Sequence, residues 1–563
     1  MGRHLSPKPC RERSYLCRLP SDYLTTRRPP DTLPIVGNAI HFLKPRHVLF
    51  DWFVKCQNLF GHETFEISVP TLPPGVVINS PENLEFVLKS EAAITKGEFF
   101  RSRSWDLFGY GIINATGDLW RAQRKAGLKF FSGANLDALI EDVLPEVYTD
   151  MTRRDLLQAA NDGSIVDLQT IFHDLTTTVV GHMAYDMEIS ASSSFSKAFD
   201  HASSHIGLRF QNPLYRLTEL FTASGGQFHD SLSEVKRFGR EIVLNARKRR
   251  SRAAFESLIT DDPVPAANNP DFHGTLIDSL IESFADPQVV ADSALNFLSA
   301  GRDTTAQALT WTFYALLRHP SALDDIRTEI AAKVPLPQLD DADDLESTTA
   351  NTTTTTIDIS SLQPTTLPLT VATFYEALRL YPPVPFEIKQ TTTPVTLPDG
   401  TYLPAGAVVV WCIWAFNRAR ATFGDDAHLF RPRRWIDDQG RFTPKSPFEF
   451  PVFNGGPRAC LGKKMAEVMA VWVMIRMCTD WDVVEEGQQE QDTALKTDGT
   501  DSTDSVDNAT TSPAPRTPQP RRRFERGKSP LPLPERVSAN SLTLPMEGGL
   551  PCRIRVRARA RKQ

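Results

Sequence analysis

The fold is decided by one short stretch, Phe453-Asn454-Gly455-Gly456-Pro457-Arg458-Ala459-Cys460-Leu461-Gly462. It places a cysteine in a loop bent by glycine and proline, directly before residues 463–477, whose apolar spacing predicts a helix. A helix N-terminus stabilises negative charge, so Cys460 is well placed to be a thiolate. A lone cysteine in a tight turn is more often a buried structural residue, and that reading stays open on this position alone.

The neighbours of Cys460 favour a chemical role. A cysteine thiolate is the haem ligand that pushes electron density toward O–O cleavage. The glycines would let the backbone approach a flat macrocycle, and Phe453 would cover the sulfur. Arg458, two residues before the cysteine, would pair with a haem propionate.

The composition of the whole chain is that of an ordinary globular protein. Its 563 residues are 41% hydrophobic and 23% charged, which excludes a wholly disordered or collagen-like chain. A net charge of -6 is not that of a dedicated nucleic-acid binder, so no nucleic-acid partner is expected. The 7 cysteines are scattered without C-x-x-C spacing, which fits a reducing compartment better than a disulfide framework or a zinc ribbon.

Apolar periodicity predicts a mainly α fold with a small β region. Helical spacing runs through residues 135–157, 231–250 and 287–318, and Pro145 should kink or split the first of these. Short β-branched segments at 65–69 and 75–78 predict strands of a small sheet. Near the end of the chain, residues 541–544 and 553–556 flank Glu547-Gly548-Gly549, a pattern typical of a hairpin.

The predicted organisation is one large domain with low-complexity additions. Residues 1–29 form a basic arm that is expected to be disordered, and 558–563 form a basic tail. The domain, 30–557, carries two polar inserts at about 335–368 and 486–538 that cannot bury a core. No run of eighteen apolar residues predicts a spanning helix, and the basic arm lacks the apolar region of a signal peptide.

Three further motifs precede the cysteine loop. Glu376 and Arg379 are spaced to pair on one helical face, although such a pair is more often an exposed one of small energetic value. Trp120 and Arg124 share a helical face, so that an indole N–H and a guanidinium can converge on one anion; a core tryptophan beside a solvated arginine is the equally weighted alternative.

The third motif, Ala300-Gly301-Arg302-Asp303-Thr304-Thr305, interrupts an apolar helical pattern with poor helix formers. Thr304 could merely bend the helix by bonding a preceding carbonyl. An acid beside a hydroxyl can also relay protons into a dry pocket, which gives Asp303 and Thr304 a catalytic interpretation.

Together these motifs resemble the cytochrome P450 haem-thiolate monooxygenases. The haem loop of that family reads Phe-x-x-Gly-x-Arg-x-Cys-x-Gly, and its fixed positions match Phe453, Gly456, Arg458, Cys460 and Gly462. The resemblance covers about residues 30–557 and implies a single P450 fold, with a long central helix over the haem and the cysteine loop beneath it.

The resemblance also implies roles for the other motif residues. Cys460 would be the axial ligand of the iron in haem b (iron protoporphyrin IX), and Trp120 and Arg124 would contact a propionate. Asp303 and Thr304 would be the acid–alcohol pair. Glu376, Arg379 and Arg434 would form a buried structural network, although Arg433 stands where the family usually has glutamate.

The resemblance implies partners as well. The chain carries no dinucleotide fingerprint or flavin domain, so an external NADPH–cytochrome P450 reductase would supply the electrons, with Lys463 and Lys464 as candidates for its docking face. The other reactants would be O2 and a lipophilic small molecule. Aromatic residues in 99–113 and the region 206–221 are expected to close an apolar pocket.

The wording of the motifs at 300–311 and 446–458 is similar to the branch that hydroxylates fatty acids and alkanes. The alternatives are oxidation of a polyketide or terpenoid in a secondary-metabolite pathway, a reductase-independent haem-thiolate isomerase or dehydratase, and a non-catalytic haem or lipid-binding protein.

The N-terminal arm bears on the expected location. Eukaryotic members of the family usually begin with a membrane anchor, and here a basic arm stands in its place. The expected location is the cytosolic face of the endoplasmic reticulum with peripheral membrane contact. A soluble protein or an inaccurate gene start would also account for the missing anchor.

Overall fold

A computed structural model describes residues 26–70, 72–73, 75–212, 214–260, 274–335, 357–486 and 535–557, with side chains of the helix Ala223–Thr260 described up to residue 255. This part of the chain is mainly helical, as the sequence predicts. Its α-helices are Ala39–Phe42, Arg46–Phe60, Pro81–Lys89, Gly97–Phe108, Gly117–Phe130, Gly133–Ala138, Leu144–Met151, Leu157–Asp162, Leu168–Val180, Ser194–Gln211, Tyr215–Phe221, Ala223–Thr260, Leu276–Ser283, Pro287–Arg318, Pro320–Lys333, Pro368–Leu380, Ile413–Phe416, Arg420–Phe423 and Lys463–Asp480.

Shorter helical turns and strands complete the fold. The π-helical segments are Leu139–Val143, Thr152–Leu156 and Gly181–Tyr185, and the 3-10 turns are Pro432–Trp435, Pro451–Phe453 and Gly456–Arg458. The strands are Phe65–Ile67, Gly75–Val77, Ile94–Thr95, Val166–Asp167, Phe386–Thr391, Val395–Thr396, Tyr402–Leu403, Val408–Cys412, Trp481–Glu485 and Pro551–Val556.

The main sheet joins parts of the chain that are far apart in sequence. Its five strands run in the order Phe65–Ile67, Gly75–Val77, Val408–Cys412, Phe386–Thr391 and Ile94–Thr95. The second and third strands pair in parallel and the other neighbours are antiparallel. The strands predicted at 65–69 and 75–78 are therefore confirmed as members of a small sheet, in which they are shorter than predicted and pair with each other.

The helix Pro287–Arg318, called the central helix from here on, has the bounds that its sequence pattern predicts. Asp286 caps its first turn by accepting a hydrogen bond from the backbone N–H of Gln288 (2.8 Å), and Pro287 fills a position that needs no N–H donor. Between Val290 and Leu317 every residue is buried except Ala300, Gly301 and Thr304. The core is thus closed around this helix except at one place in its middle.

The segment predicted to kink at Pro145 is split by π turns. Pro145 is the second residue of the α-helical piece Leu144–Met151, which lies between the π-helical segments Leu139–Val143 and Thr152–Leu156. Proline offers no N–H to the preceding turn, which accounts for the interruption before it.

The hairpin predicted near the C-terminus is wrong. The strand Pro551–Val556 pairs with Trp481–Glu485 on one side and Val166–Asp167 on the other, and not with residues 541–544. Gly549 is required for a different reason. A Cβ at this position would come within 2.5 Å of the Asp167 carboxylate. That carboxylate accepts the backbone N–H of Leu550 at 2.7 Å, so the chain must pass close to it.

The predicted boundaries of both inserts also need correction. Ile357, Leu362 and Leu367 are buried in the core, so the chain packs again well before residue 368. After the second insert, Arg536 already pairs with Glu485 at 3.0 Å. Residues 336–356 and 487–534, together with 1–25 and 558–563, lie outside the described residues.

Candidate active site

Cys460 lies at the end of a loop that the sequence forces into a narrow turn. Gly456 has φ +63°, and a Cβ at this position would come within 2.6 Å of the carbonyl oxygen of Leu88. The backbone N–H of Cys460 donates to the carbonyl of Phe453 (2.8 Å), which closes the loop. Gly462 caps the helix Lys463–Asp480, and its backbone N–H is directed at the Cys460 thiol.

The side chain of Cys460 is accessible, whereas Cys56, Cys412, Cys478 and Cys552 are buried. Burial of its surroundings nevertheless raises the pKa of the Cys460 thiol, opposed by the Gly462 N–H and by the charge of Arg124. The sequence suggested that the helix N-terminus makes Cys460 a thiolate. The raised pKa shows that the helix N-terminus alone is not sufficient. A metal ion that binds the sulfur would supply the missing stabilisation.

Two cations predicted to hold a propionate lie beside the loop. Arg124 donates from Nη1 to the carbonyl of Ala459 (2.9 Å), which ties the helix Gly117–Phe130 to the residue before Cys460. Arg458 stacks over the ring of Trp120 at 4.7 Å. The structure thus brings Trp120, Arg124 and Arg458 together, although they come from two distant segments.

Arg458 has a partner that the sequence did not reveal. Its Nε donates to Glu91 Oε1 at 2.6 Å and its Nη2 to the carbonyl of Ala115 at 2.8 Å. Glu91 also accepts from the buried Lys389 at 2.8 Å. No local pattern marks Glu91, because both of its contacts span about three hundred residues.

Phe453 is half-buried at the edge of the loop. Its ring lies 5.4 Å from the ammonium of Lys463 and 6.3 Å from the ring of Tyr375. Lys463 is about half exposed, and Lys464 donates to Gln363 at 2.7 Å. Of the two lysines expected at a docking face, Lys463 is the more available.

The two members of the acid–alcohol pair point in different directions from the central helix, and only Thr304 lies on its uncovered face. Thr304 Oγ1 donates to the carbonyl of Ala300 (2.7 Å), and these two residues share the uncovered face one turn apart. Asp303 points away from that face, into the protein. Its Oδ1 lies 3.3 Å from Arg302 Nη1 and 4.0 Å from His173 Nδ1.

This buried cluster is electrostatically unusual. Asp303 Oδ1, Arg302 Nη1 and His173 Nδ1 are all buried and have no hydrogen-bond partner among the described residues. Burial raises the pKa of Asp303 to about 7, with Arg302 opposing and Asp200 reinforcing the shift. Burial and the charge of Arg302 lower the pKa of His173 to about 4. Near neutral pH the carboxyl can therefore hold or release a proton while the imidazole stays neutral.

The Glu376 network is assembled and fully buried. Glu376 accepts from Arg379 Nε (2.9 Å) and Nη2 (2.8 Å), and from Arg434 Nε (2.9 Å). Trp435 Nε1 adds a fourth bond at 2.9 Å. Arg433, the departure from the family pattern, points outward to Asp325, so it does not disturb the network.

These residues fit a haem. The accessible cysteine would supply an axial ligand, and the small side chains of Ala300 and Thr304 on the uncovered face of the central helix would leave room for a flat ring. Arg124 and Arg458 supply positive charge next to the loop for propionates, and Trp120 lies against both.

Within the described part of the chain, the helices include none both long and apolar enough to span a bilayer.

The two segments expected to close an apolar pocket meet at a cavity of about 150 Å³. Phe99 and Phe100 line it from one segment, and Gly207, Phe210 and Gln211 from the other. Trp105 instead lines a separate and more polar cavity with Arg101 and Glu219. Phe108 and Tyr110 line neither cavity, so only part of the aromatic set predicted in 99–113 borders the apolar cavity.

Comparison with known proteins agrees with this geometry. The family model described as Cytochrome P450 matches residues 28–501. The chain is 26% identical over 479 residues to cytochrome P450 94A1 of Vicia sativa, covering 82% of this chain and 86% of that protein. It is 31% identical over 474 residues to cytochrome P450 704B1 of Arabidopsis thaliana, with 80% and 88% covered. A fungal relative, cytochrome P450 monooxygenase cyp1 of Mycosarcoma maydis, is 29% identical, with 81% and 70% covered.

Proposed function

The chain belongs to the cytochrome P450 family, and from this membership we propose that it hydroxylates a fatty-acyl or alkyl chain with electrons from NADPH–cytochrome P450 reductase. Membership makes it a haem-thiolate monooxygenase, an oxidoreductase that binds haem b through a cysteine and uses O2, a lipophilic substrate and a redox partner. When bound, the haem supplies the activation of O2. The chain's own residues hold the cofactor, exclude water and deliver protons.

The observation that carries the substrate proposal is the apolar cavity between the two predicted pocket segments. Its lining includes Phe53, Phe99, Phe210, Phe386 and Leu542, which suit a flexible hydrocarbon. The volume of this cavity is about 150 Å³, and only one of its described lining residues, Arg46, is charged.

Each motif residue has a role in the proposal. Cys460 is the axial ligand, and Trp120, Arg124 and Arg458 position the propionates. Thr304 holds a hydroxyl on the uncovered face of the central helix, and because its hydrogen is donated to the Ala300 carbonyl its oxygen can accept a proton or a hydrogen bond there. Asp303, with a pKa near 7, is a proton source one residue away.

We also propose peripheral membrane contact at the cytosolic face of the endoplasmic reticulum. Two segments next to the cavity expose large apolar side chains to solvent: Leu33, Ile35, Leu43, Leu217, Leu220 and Phe221. Large apolar side chains exposed at these positions are available for membrane contact. A lipophilic substrate could then enter from the bilayer.

The decisive experiment is a spin-state titration of the ferric holoenzyme with linear fatty acids, alkanes, and panels of terpenoids and polyketides. We expect displacement of the haem water by long linear chains. A response to cyclic ligands alone would replace the lipid proposal with secondary-metabolite oxidation.

A second measurement separates monooxygenation from reductase-independent rearrangement. Product formation should require NADPH and the reductase and should consume O2. Turnover in their absence would contradict the proposal. Cys460→Ala should abolish the thiolate signature in the ferrous CO spectrum, whereas Cys552→Ala, which removes a buried thiol elsewhere, should retain it.

A further inference from the structure

The apolar cavity contains one charged residue among its described lining residues, Arg46. This arginine is the first residue of the helix Arg46–Phe60, whose Leu49 and Phe53 also line the cavity. Its side chain is buried, since the residue is only 8% exposed. Burying a charged guanidinium costs free energy unless hydrogen bonds or an opposite charge compensate for it.

The bonds of Arg46 satisfy only part of its guanidinium. Nη1 donates to the carbonyls of Thr543 (2.5 Å) and Ala539 (3.2 Å), and the group lies 5.3 Å from the ring of Phe50. Burial lowers the pKa of Arg46 to about 9, so the side chain stays positively charged at neutral pH. Among the described residues it forms no ion pair with a carboxylate.

Three other arginines with buried side chains are paired with acids, whereas Arg103, like Arg46, has no acid partner among the described residues. Arg379 binds Glu376, Arg209 binds Glu219, and Arg458 binds Glu91. An isolated charge is expensive to bury, and pairing it with an anion through several hydrogen bonds recovers that cost. Arg46 therefore differs from these arginines in having a positive charge and further donors available to a ligand in the cavity.

The neighbouring polar groups are already occupied. Gln211 lies within hydrogen-bond distance of Asn540 (3.4 Å), Asn540 donates to the carbonyl of Ser204 (3.0 Å), and Ser541 bonds with Ser203 (3.1 Å). The cavity thus offers one cation, three polar side chains that already have partners, and a lining that is otherwise apolar. This combination matches a molecule with a single negative charge at the end of a hydrocarbon chain.

We propose that Arg46 binds the carboxylate of an unesterified long-chain fatty acid, whose first methylenes lie against the apolar walls of the cavity. The proposal rests on the hydroxylase function proposed above and narrows its substrate from alkyl chains in general to free acids. The guanidinium fork and the carboxylate are matched in geometry, so two parallel hydrogen bonds can form.

The test compares three ligands of one chain length, hexadecanoic acid, its methyl ester and hexadecanol, by spin-state titration of the ferric holoenzyme. Arg46→Gln should raise the Kd of the acid by about tenfold to a hundredfold, because it removes a charge-assisted bond. The Kd values of the ester and the alcohol should change less than about twofold, and Arg46→Lys should recover part of the affinity for the acid.

Arg103→Gln is the matched control. Arg103 is also buried, donates to a backbone carbonyl and lies over a phenylalanine ring, but it does not line the cavity. It should leave the preference for the acid unchanged. Retention of ester and alcohol binding by Arg46→Gln shows that the variant is folded.

Two outcomes would overturn the proposal and are distinguishable from failure of the hydroxylase function. Equal weakening of all three ligands in Arg46→Gln would make Arg46 a structural clamp on residues 539–543. A wild-type enzyme that hydroxylates the ester and alcohol as well as the acid, with no preference, would retain the function without the carboxylate site. If no linear ligand binds or reacts, the proposed function itself fails.

Discussion

Thr304 occupies one of the few uncovered positions on the central helix. Its hydroxyl donates to the carbonyl of Ala300, and its oxygen lies on the uncovered face of the helix. A hydroxyl at this place can accept and donate, whereas a methyl group cannot.

Thr304→Ala should uncouple NADPH consumption from product formation. We expect the product formed per NADPH to fall by roughly tenfold or more, with hydrogen peroxide released in its place, because a positioned proton donor is lost. Thr310→Ala is the control, since Thr310 makes the same bond to Ala306 (2.8 Å) on the same helix but is buried. Unchanged coupling in Thr304→Ala would remove the residue from the relay.

The raised pKa of Asp303 makes the free energy of unfolding depend on pH in a predictable way. Its pKa is raised to about 7 in the folded state, from an ordinary 3.8, so folding favours the protonated carboxyl. Stability contributed by this group is present below the ordinary pKa and is lost as the pH rises to about 7, by at most about 1.4 kcal/mol per pH unit. His173 titrates with the opposite sign, because its folded pKa of about 4 lies below the ordinary value.

The measured quantity is therefore the difference in the free energy of unfolding between the wild type and Asp303→Asn. We expect the variant to gain stability relative to the wild type as the pH is raised from roughly 4 to 7, and to show no further gain above that range. Arg302 and Asp200 remain in both proteins and cancel in the comparison. A difference independent of pH would contradict a neutral Asp303 in the folded protein.

Among the elements, the helix Pro368–Leu380 is joined to residues 417–435 by the carboxylate of Glu376 and by Arg379, which donates to three backbone carbonyls of that segment. Glu376 is wholly buried and accepts bonds from Arg379, Arg434 and Trp435. Although burial opposes ionisation, the bonds from Arg379 and the charge of Arg434 hold the pKa of Glu376 below its ordinary value.

Glu376→Gln should destabilise the holoenzyme by about 3–5 kcal/mol, because it leaves buried guanidinium groups without their charge partner. Chemical denaturation monitored by circular dichroism measures this change. Arg433→Ala, which breaks an exposed pair with Asp325, should cost no more than about 1 kcal/mol. Similar losses in both variants would show that the network is not held by Glu376.

Elements with strong local signals could be predicted from the sequence. Pro287 and the apolar run up to Arg318 mark both ends of the central helix. The cysteine loop marks the start of the helix Lys463–Asp480. The C-terminal strand could not be predicted, since Pro551–Val556 pairs with Trp481–Glu485 across a long insert and the adjacent glycines imitate a hairpin turn.

The residues of the candidate site can also be divided into those that a sequence motif marks and those that it does not. Cys460, Arg458 and Thr304 stand in motifs, whereas Glu91, His173 and Arg46 have no local pattern and become visible only through contacts made by folding. The side chain of Thr304 faces an uncovered region and that of Asp303 points into the protein. These directions likewise depend on which helices pack against each side of the central helix.

At the scale of the molecule, the exposed apolar surface should bind membranes. A variant with Ile35→Ser, Leu43→Ser, Leu220→Ser and Phe221→Ser should cosediment with phosphatidylcholine–phosphatidylserine vesicles severalfold less than the wild type, because it removes the apolar area available for insertion. Leu128→Ser with Ile165→Ser is the control, since both residues are exposed but lie in other segments. Equal loss in the control would point to nonspecific adsorption.

The insert 487–534 should be replaceable. Glu485 and Arg536 are paired at 3.0 Å, and Glu486 donates its N–H to the carbonyl of Pro551 (2.9 Å), so the two ends of the described chain meet here. A short glycine–serine linker should therefore preserve haem content and change the free energy of unfolding by no more than about 2 kcal/mol, since closure entropy varies slowly with length. Loss of haem binding would show that the insert takes part in the fold.

The meeting of these two ends also bears on how such a chain can change over generations. At a place where the end of a strand is paired with the returning chain by an ion pair, codons can be gained or lost without altering the register of the sheet. The same place offers a permissive position for engineering: an electron-donor module, an affinity tag or a new pair of termini could be introduced between Glu485 and Arg536 while the strand pairing on either side is kept.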